Sequence, residues 1–188
     1  MVNIAIFVSG NGSNCENIIR HFAISDVARV ALVVSNRADA FALVRARNLG
    51  VPAITLSKAD FANQEYTLKV LDSYGIGFVV LAGFLMMVPG YLISHYHLKM
   101  VNIHPALLPK YGGKGMYGMH VHEAGVAAHE KESGITIHLV NAHYDEGRIL
   151  FQAACPIDPQ DTPEEVAAKV HALEYRYYPE VIQQWICP

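Results

Sequence analysis

The stretch NIAIFVSGNGSN, residues 3–14, gives the clearest indication of the fold. Its run from Ile4 to Val8 is apolar without alternation, which is typical of a strand buried on both faces of a parallel sheet. Residues 10–14 form a loop of glycine and polar residues, and Cys15–Phe22 has the pattern of a short helix. A buried strand, a glycine-rich loop and a helix in this order predict the first unit of an α/β fold.

The same alternation continues along the first half of the chain. Glycines follow two of the helical patterns, at Gly50 and Gly75, as they commonly do just past a helix end. Further strands are predicted at Val30–Val34, Ala53–Leu56, Phe78–Leu81 and Met100–His104, and helices at Ala40–Leu49 and Asn63–Tyr74. Right-handed βαβ units and a Rossmann-like parallel sheet follow from this pattern.

The second half has a different pattern. A helix is predicted at Val121–Glu130, and strands at 135–140 and Ile149–Ala153 are separated by the turn-rich connector NAHYDEG, which favours an antiparallel pair. A last helix begins at Thr162, with a first-turn proline and a capping-box glutamate, and Pro179 is expected to kink or end it. We predict one α/β domain with a mixed or antiparallel extension of the sheet in its C-terminal half.

Composition excludes several classes of function. Residues of hydrophobic type make up 52% of the chain, the formal net charge is −3, and no basic run occurs, so a nucleic-acid surface is not expected. No apolar run is long enough to span a bilayer, and the N-terminus has the pattern of a strand rather than a signal peptide. Three scattered cysteines, Cys15, Cys155 and Cys187, predict reduced thiols and a cytoplasmic protein.

The loop SGNGSN, residues 9–14, lies where open α/β sheets bind ligands, beyond the carboxyl end of a strand. Backbone N–H groups of Gly12, Ser13 and Asn14 at a helix N-terminus could hold a phosphate. The alternative is a simple turn that needs glycine, with Ser13 or Asn14 as a helix cap. The spacing matches neither the dinucleotide fingerprint nor a P-loop, so both interpretations stay open.

Asn102 and His104 lie two residues apart at the end of a predicted strand, so their side chains point to the same face. A carboxamide N–H can stabilise an oxyanion, and an imidazole can exchange a proton. The alternative is that Asn102 caps a loop and His104 only packs beneath it. In the HYDEGR turn, Asp145 and Glu146 are either turn residues or a partner for His104, and a paired carboxylate is expected to raise the imidazole pKa.

Two further patterns concern buried charge and metal. Val166, Val170 and Glu174 are spaced by four, which predicts an inward carboxylate that needs a sugar hydroxyl or a core Lys or Arg as partner.

The chain has 10 histidines, including the pairs His95-x-His97 and His120-x-His122. No H-E-x-x-H or C-x-x-C accompanies these pairs, so we expect no metal site.

Several motifs together resemble a known family. SGNGSN (9–14), NIHPALLP (102–109), YDEGRILFQ (144–152) and ALEYRYYP (172–179) occur in the order found in the folate-dependent formyltransferases. NIHPALLP with a downstream D-x-G is shared by the wider family. The first and last motifs resemble the branch that acts on glycinamide ribonucleotide in purine biosynthesis, and the likeness runs over nearly the whole chain.

The resemblance implies transfer of a formyl group from 10-formyltetrahydrofolate to the amine of 5-phosphoribosylglycinamide, without a metal. By the family pattern, Asn102 and protonated His104 stabilise the oxyanion of a tetrahedral intermediate. Asp145 holds and charges His104, and a water moves the proton to the departing folate nitrogen. Residues matching the family's substrate contacts are Gly12, Ser13 and Asn14 for the phosphate and Glu174 for the ribonucleotide. Residues 1–100 would then form the phosphate-binding half, and residues 101–188 the catalytic and folate-binding half.

The folate cleft of the family matches two segments of this chain, which comprise Leu85, Met86, Met87, Val88 and Asn141, Ala142, His143, Tyr144. Met86 replaces a common arginine and Gln64 a common basic residue, which leaves the preference for polyglutamate open. The segment Lys110–Met119 is longer than usual and is expected to be a flexible loop on the substrate side. The Leu108–Pro109 bond could be cis, as in relatives, and the sequence leaves cis or trans open. We expect a monomer or a weak homodimer.

Three alternatives remain at this point. A methionyl-tRNA formyltransferase is expected to carry a basic C-terminal domain, and a formyltetrahydrofolate hydrolase an added N-terminal domain. Neither pattern occurs in the 188 residues of this chain. The third alternative is a non-catalytic nucleotide-binding module that uses SGNGSN alone.

Overall fold

The computed structural model describes residues 1–187, which form seven strands and seven helices. Every strand and helix predicted above is present, with ends that differ by a few residues. The elements are β1 (Val2–Val8), α1 (Ser13–Phe22), β2 (Ala28–Ser35), α2 (Phe41–Asn48), β3 (Ala53–Thr55), α3 (Lys58–Ala62), α4 (Gln64–Ser73), β4 (Ile76–Leu81), α5 (Gly90–His95), β5 (Met100–His104), α6 (Met119–Ala127), β6 (Glu132–Leu139), β7 (Ile149–Pro156) and α7 (Pro163–Ile186).

The chain divides into two compact units, and the first comprises Met1–Val101 and the chain from Ile182 onward. Its strands follow the order β3-β2-β1-β4-β5, and β1 pairs in parallel with both β2 and β4. Ile6 lies opposite Val33 on one side and Val80 on the other. The predicted parallel sheet is thereby confirmed, and the unbroken apolar run of β1 is explained by its complete burial.

The second unit comprises Asn102–Val181, with the strand order β5-β6-β7. Strands β6 and β7 are antiparallel, with Ile135 opposite Ala153, as the turn-rich connector predicted. Strand β5 passes from the first unit into the second, because the boundary falls between Val101 and Asn102. The residues proposed for catalysis thus begin the second unit.

Pro179, which was predicted to kink or end the last helix, does not end it. Helix α7 continues through Pro179 to Ile186. Proline removes one backbone donor, but Tyr178 and Ile182 on either side of it are fully buried, and tertiary packing of such residues holds a helix that propensity alone would end. The predicted cap is confirmed, since Glu165 N–H donates to Thr162 Oγ1 at 3.2 Å and Thr162 N–H to Glu165 Oε2 at 2.8 Å. No helix formed by residues 1–187 has both the length and the apolarity that crossing a bilayer requires.

Two short helices, α3 and α5, were not predicted. They have 5 and 6 residues, which is too short for a helical period to show in the sequence. Helix α3 did carry a local signal, because Ser57 and Asp60 form a capping box in which each side chain accepts from the other's backbone N–H.

The turn after β5 is fixed by buried hydrogen bonds from the neighbouring strands. The Thr136 hydroxyl is fully buried, accepts from Leu108 N–H at 3.0 Å and donates to Ala106 C=O at 2.7 Å. Gln152 Nε2 donates to the same hydroxyl and to Leu108 C=O. The Leu108–Pro109 bond is cis. The chain that leaves His104 therefore follows one defined path.

Replacing Thr136 tests this turn. Thr136→Val keeps the side-chain shape but leaves the buried Leu108 N–H without its acceptor, so the free energy of unfolding should fall by about 1–3 kcal/mol. Thr136→Ser retains the hydroxyl and serves as the matched control in urea unfolding. A valine variant as stable as the wild type, beside a less stable serine variant, would show that methyl packing and not the hydroxyl matters here.

Candidate active site

Asn102 and His104 occupy the carboxyl end of β5, where the sequence placed them. Ile103 between them is buried, as the alternation of a strand predicts. His104 is only 4% exposed, while Asn102 is half-buried. The imidazole is therefore held almost entirely away from water.

Asp145 comes from the connector between β6 and β7 and reaches the histidine. Its Oδ2 lies 3.5 Å from His104 Nδ1. The residue adopts a positive φ of 57°, a conformation that Asp tolerates better than most side chains and that often occurs at functional sites. The structure therefore brings Asp145 to His104, while the neighbouring Glu146 is exposed.

The segment Tyr111–Gly113 contacts both members of this pair. His104 Nε2 lies 2.7 Å from the Tyr111 carbonyl oxygen, and Gly113 N–H donates to Asp145 Oδ2 at 3.0 Å. These residues belong to the loop 110–119, which was expected to lie on the substrate side. Its first residues form a wall of the site.

His138 is a member of the site that sequence reasoning missed. Its Nδ1 lies 2.8 Å from the Leu139 carbonyl oxygen, which can only accept, so Nδ1 carries the proton. Its Nε2 can then accept from Asn102 Nδ2 at 3.1 Å, and it lies 3.5 Å from Asp145 Oδ1. His138 thus orients the amide group of Asn102. The available signal was a polar residue in the buried run ITIHL, because buried polar groups need partners.

The expectation that Asp145 raises the pKa of His104 is wrong in its net direction. Burial lowers the pKa of His104 below its ordinary value, and the Asp145 carboxylate and the Tyr111 carbonyl offset only part of this effect. The physical reason is that an imidazolium loses its hydration in the interior. In the unliganded protein His104 is therefore neutral at neutral pH.

Asp145 itself stays ionised. Burial alone would raise the pKa of Asp145, but its polar neighbours, which include His104 and the Gly113 N–H, outweigh burial and hold the pKa below its usual range. The site therefore pairs a neutral imidazole with a carboxylate. It is ready to accept a proton on the histidine and to stabilise the resulting charge.

The glycine-rich loop lies in the first unit. Gly12 is the N-cap of α1, with φ 79° and no side chain to cap the helix, and Ser13 and Asn14 begin the first turn. A Cβ atom on Gly12 would lie 2.3 Å from the Ala42 Cβ, so only glycine fits. This close approach and the positive φ explain why the position requires glycine. Both a phosphate-binding loop and a simple turn fit this finding, so both interpretations stay open.

Arg45 of α2 stabilises this loop, and sequence reasoning missed it. Its Nε donates to the Asn11 carbonyl and its Nη2 to Asn11 Oδ1, both at 2.9 Å. It also forms an ion pair with Glu16 in the first turn of α1. The guanidinium therefore holds the loop and the helix start together.

Glu174 is buried in α7, as its spacing predicted, and is 4% exposed. One of its partners is His171, whose Nδ1 lies 2.8 Å from Glu174 Oε2. The Glu174 carboxylate raises the pKa of His171, whose side chain is half-exposed.

Of the two segments matched to a folate cleft, residues 85–88 carry apolar side chains at the surface. Leu85 and Met87 are about half exposed, Met86 is half-buried and Val88 is buried. Leu85 N–H donates to Ser9 Oγ at 2.9 Å, which ties this segment to the end of β1. In the second unit, the residues Asn141, Ala142, His143 and Tyr144 are all exposed.

The predicted histidine pairs do not form a metal-binding cluster. His95, His97 and His120 are exposed and His122 is buried. Within residues 1–187, no group of three or more His, Cys, Asp or Glu side chains is arranged to hold a metal ion.

The protonation of His104 gives a direct test. Its imidazole should titrate below 6.5 in an NMR titration, because burial disfavours the cation. Asp145→Asn should lower the midpoint further, since it removes the charge that favours the imidazolium. His104→Gln assigns the resonance. A midpoint above 6.5 in the wild type would contradict this electrostatic account.

Comparisons with known proteins show similarity to formyltransferases over most of the chain. The formyl transferase family model matches residues 2–182. The "Phosphoribosylglycinamide formyltransferase, chloroplastic" of Arabidopsis thaliana is 42% identical over 187 residues, which cover 95% of this chain but only 63% of that relative. The Escherichia coli K12 "Phosphoribosylglycinamide formyltransferase" is 36% identical over 96% of this chain and 85% of its own length.

A solved structure is similar over almost the whole chain. The crystal structure of glycinamide ribonucleotide transformylase 1 from Symbiobacterium toebii has a TM-score of 0.89 and 34% identity, and the match covers 99% of this chain and 88% of that one. The similarity in fold therefore extends beyond the motifs to both units of the chain.

Proposed function

We propose a function for this chain, which belongs to the formyl transferase family. It transfers a formyl group from 10-formyltetrahydrofolate to the amine of 5-phosphoribosylglycinamide in purine biosynthesis. The observation that carries the proposal is the meeting of Asn102, His104 and Asp145 at the end of β5. A carboxamide, a buried neutral imidazole and an ionised carboxylate are the groups that such an acyl-type transfer needs.

The first step is attack of the substrate amine on the formyl carbon, which forms a C–N bond and moves the carbonyl π electrons onto oxygen. Asn102 stabilises this oxyanion. One N–H of its amide is bound by His138, which directs the group and leaves the second N–H for the oxyanion. A donor fixed in advance stabilises the charge as it develops, without reorganisation during the reaction.

His104 acts as a base first and as a cation second. Neutral in the free enzyme, it accepts the proton that the attacking amine loses, and the resulting imidazolium lies beside Asp145 and stabilises the oxyanion. A water then relays this proton from the imidazolium to the folate nitrogen as the oxyanion collapses and the bond from that nitrogen to the formyl carbon breaks, which returns His104 to its neutral form. This order differs from the expectation of an imidazolium present from the start.

The substrate contacts follow the family pattern. The phosphate binds at Gly12, Ser13 and Asn14, where a helix N-terminus favours an anion. The Glu174 carboxylate, buried in α7, suits a ribose hydroxyl. Folate contacts are assigned to the segments 85–88 and 141–144. The phosphate loop and segment 85–88 belong to residues 1–100, and the proposed catalytic residues and segment 141–144 to the second half of the chain.

We also propose that the protein works in the cytoplasm, as a monomer or a weak homodimer and without a metal. Three free cysteines support a reducing compartment. The three proposed catalytic side chains come from one chain, so no second copy is needed to complete them.

An assay with the ribonucleotide and 10-formyltetrahydrofolate, followed by absorbance, tests the reaction. Tetrahydrofolate release should require both substrates, and His104→Ala should lower kcat about 10²- to 10⁴-fold. His97→Ala, at an exposed histidine, is the matched control and should retain full activity. Release without the ribonucleotide would indicate a hydrolase, and an unaffected His104→Ala enzyme a binding module.

Asp145→Asn separates catalysis from binding. The carboxylate acts on charge that develops in the reaction, so kcat should fall about 10²-fold, while the KM values change little. Initial rates over a range of both substrates measure the two effects. A normal kcat with raised KM values would assign Asp145 to substrate binding instead.

A further inference from the structure

We propose that Tyr111 and Glu130 are positioning residues for His104. The Tyr111 carbonyl keeps a proton on Nε2, so Nδ1 is the nitrogen that exchanges protons with the substrate, and the Glu130 carboxylate holds Tyr111 in place. The expected effect on kcat rests on the proposed function. The expected tautomer of His104 concerns the unliganded protein and does not depend on that function.

The tautomer follows from the hydrogen-bond partner. A carbonyl oxygen can only accept, so the 2.7 Å contact with Tyr111 requires an N–H on His104 Nε2. In the neutral ring Nδ1 then carries a lone pair, and it lies 3.5 Å from Asp145 Oδ2. When Nδ1 takes up a proton it gains a favourable partner in this carboxylate. Proton uptake is therefore supported at Nδ1 and blocked at Nε2.

The Tyr111 carbonyl needs support, because the residue has a positive φ of 54°, which is unfavourable for a bulky side chain. Its hydroxyl donates to Glu130 Oε1 at 3.0 Å. Next to it, Gly112 packs closely on Leu108, since a Cβ there would lie 2.5 Å from Leu108 Cδ2. The hydrogen bond from the Tyr111 hydroxyl to Glu130 thus fixes one end of the segment, and the hydrogen bond from Gly113 N–H to Asp145 fixes the other.

Glu130 is a suitable anchor. It follows α6 directly, and its N–H donates to Gly125 C=O at 3.1 Å. Lys110 Nζ also binds the carboxylate, but the lysine side chain is 65% exposed, so this ion pair adds little. Lys110 and Tyr111 keep the pKa of Glu130 below its usual value, so the acceptor is ionised.

A cavity of about 250 Å³ makes this bond necessary. Tyr111, Glu130, Val121 and His122 are among the residues that line it. Without the carboxylate, the tyrosine ring can turn into this space, and the backbone carbonyl is then released from the imidazole. The charged and titratable groups around His104 are otherwise Asp145, His138, His122 and Glu174.

The first experiment measures the tautomer by ¹⁵N NMR of histidine-labelled, unliganded protein above the titration midpoint of His104. We expect Nε2 to be protonated and Nδ1 to be unprotonated in the wild type, and a mixture of both tautomers in Tyr111→Phe, which removes only one hydroxyl. A protonated Nδ1 in the wild type, or an unchanged tautomer in the variant, would overturn the proposal. Neither result depends on activity, so failure of the proposed function is detected separately.

The second experiment measures the pH dependence of kcat and KM. In Tyr111→Phe and Glu130→Ala, kcat should fall about three- to tenfold, the equivalent of one hydrogen bond, with KM little changed. The acid limb should move to lower pH, because the Tyr111 carbonyl favours the imidazolium. Glu130→Gln keeps an acceptor oxygen and should restore most of the rate.

Glu132→Gln is the matched control. It removes the same charge near Lys110, but Glu132 makes no hydrogen bond to Tyr111, so the pH profile should match the wild type. A fall in kcat in Glu132→Gln as large as that in Glu130→Ala would reduce the role of Glu130 to general surface charge and refute its positioning role. Circular dichroism confirms that each variant is folded before its kinetics are interpreted.

Discussion

The burial of one imidazole ring sets the constraints for the rest of the site. His104 is 4% exposed, and each of its nitrogens faces one polar group of the protein. A buried polar atom without a partner costs about 1–3 kcal/mol, so the chain must bring partners to a strand end that has none of its own. The segment after β5 and the connector before β7 both do so.

This requirement explains two of the positions at which the backbone is strained. Tyr111 and Asp145 both have positive φ values, and both supply a partner to His104. Such conformations cost on the order of 1–3 kcal/mol each and persist only where surrounding contacts determine them. Here the contacts are mutual, since Gly113 N–H binds the same carboxylate that faces the imidazole. The strain and the hydrogen bonds that offset it are parts of one arrangement.

Periodicity and turn residues predicted the elements of the fold because these signals are local. The Asn102–His104 pair was predictable for the same reason, as strand alternation and Pro105 are read within a few residues. His138 and Tyr111 were not, because the sequence does not show which groups meet a ring nitrogen. The His138 ring contacts the Asn102 amide group across 36 residues of chain, and the His104 ring contacts the Tyr111 carbonyl across 7. Arg45 was missed likewise, since its contact with Asn11 spans 34 residues.

The predicted direction of the His104 pKa shift was wrong for a different reason. The sequence shows that a carboxylate is available, but it does not show how much water remains, and here desolvation exceeds the attraction of Asp145. The same low dielectric strengthens the attraction once the ring is charged. A site that disfavours the imidazolium in the free enzyme therefore gains most when the cation appears together with an oxyanion, because each new charge then has a close partner. The burial that lowers the pKa at rest is in this way compatible with a cation formed during the reaction.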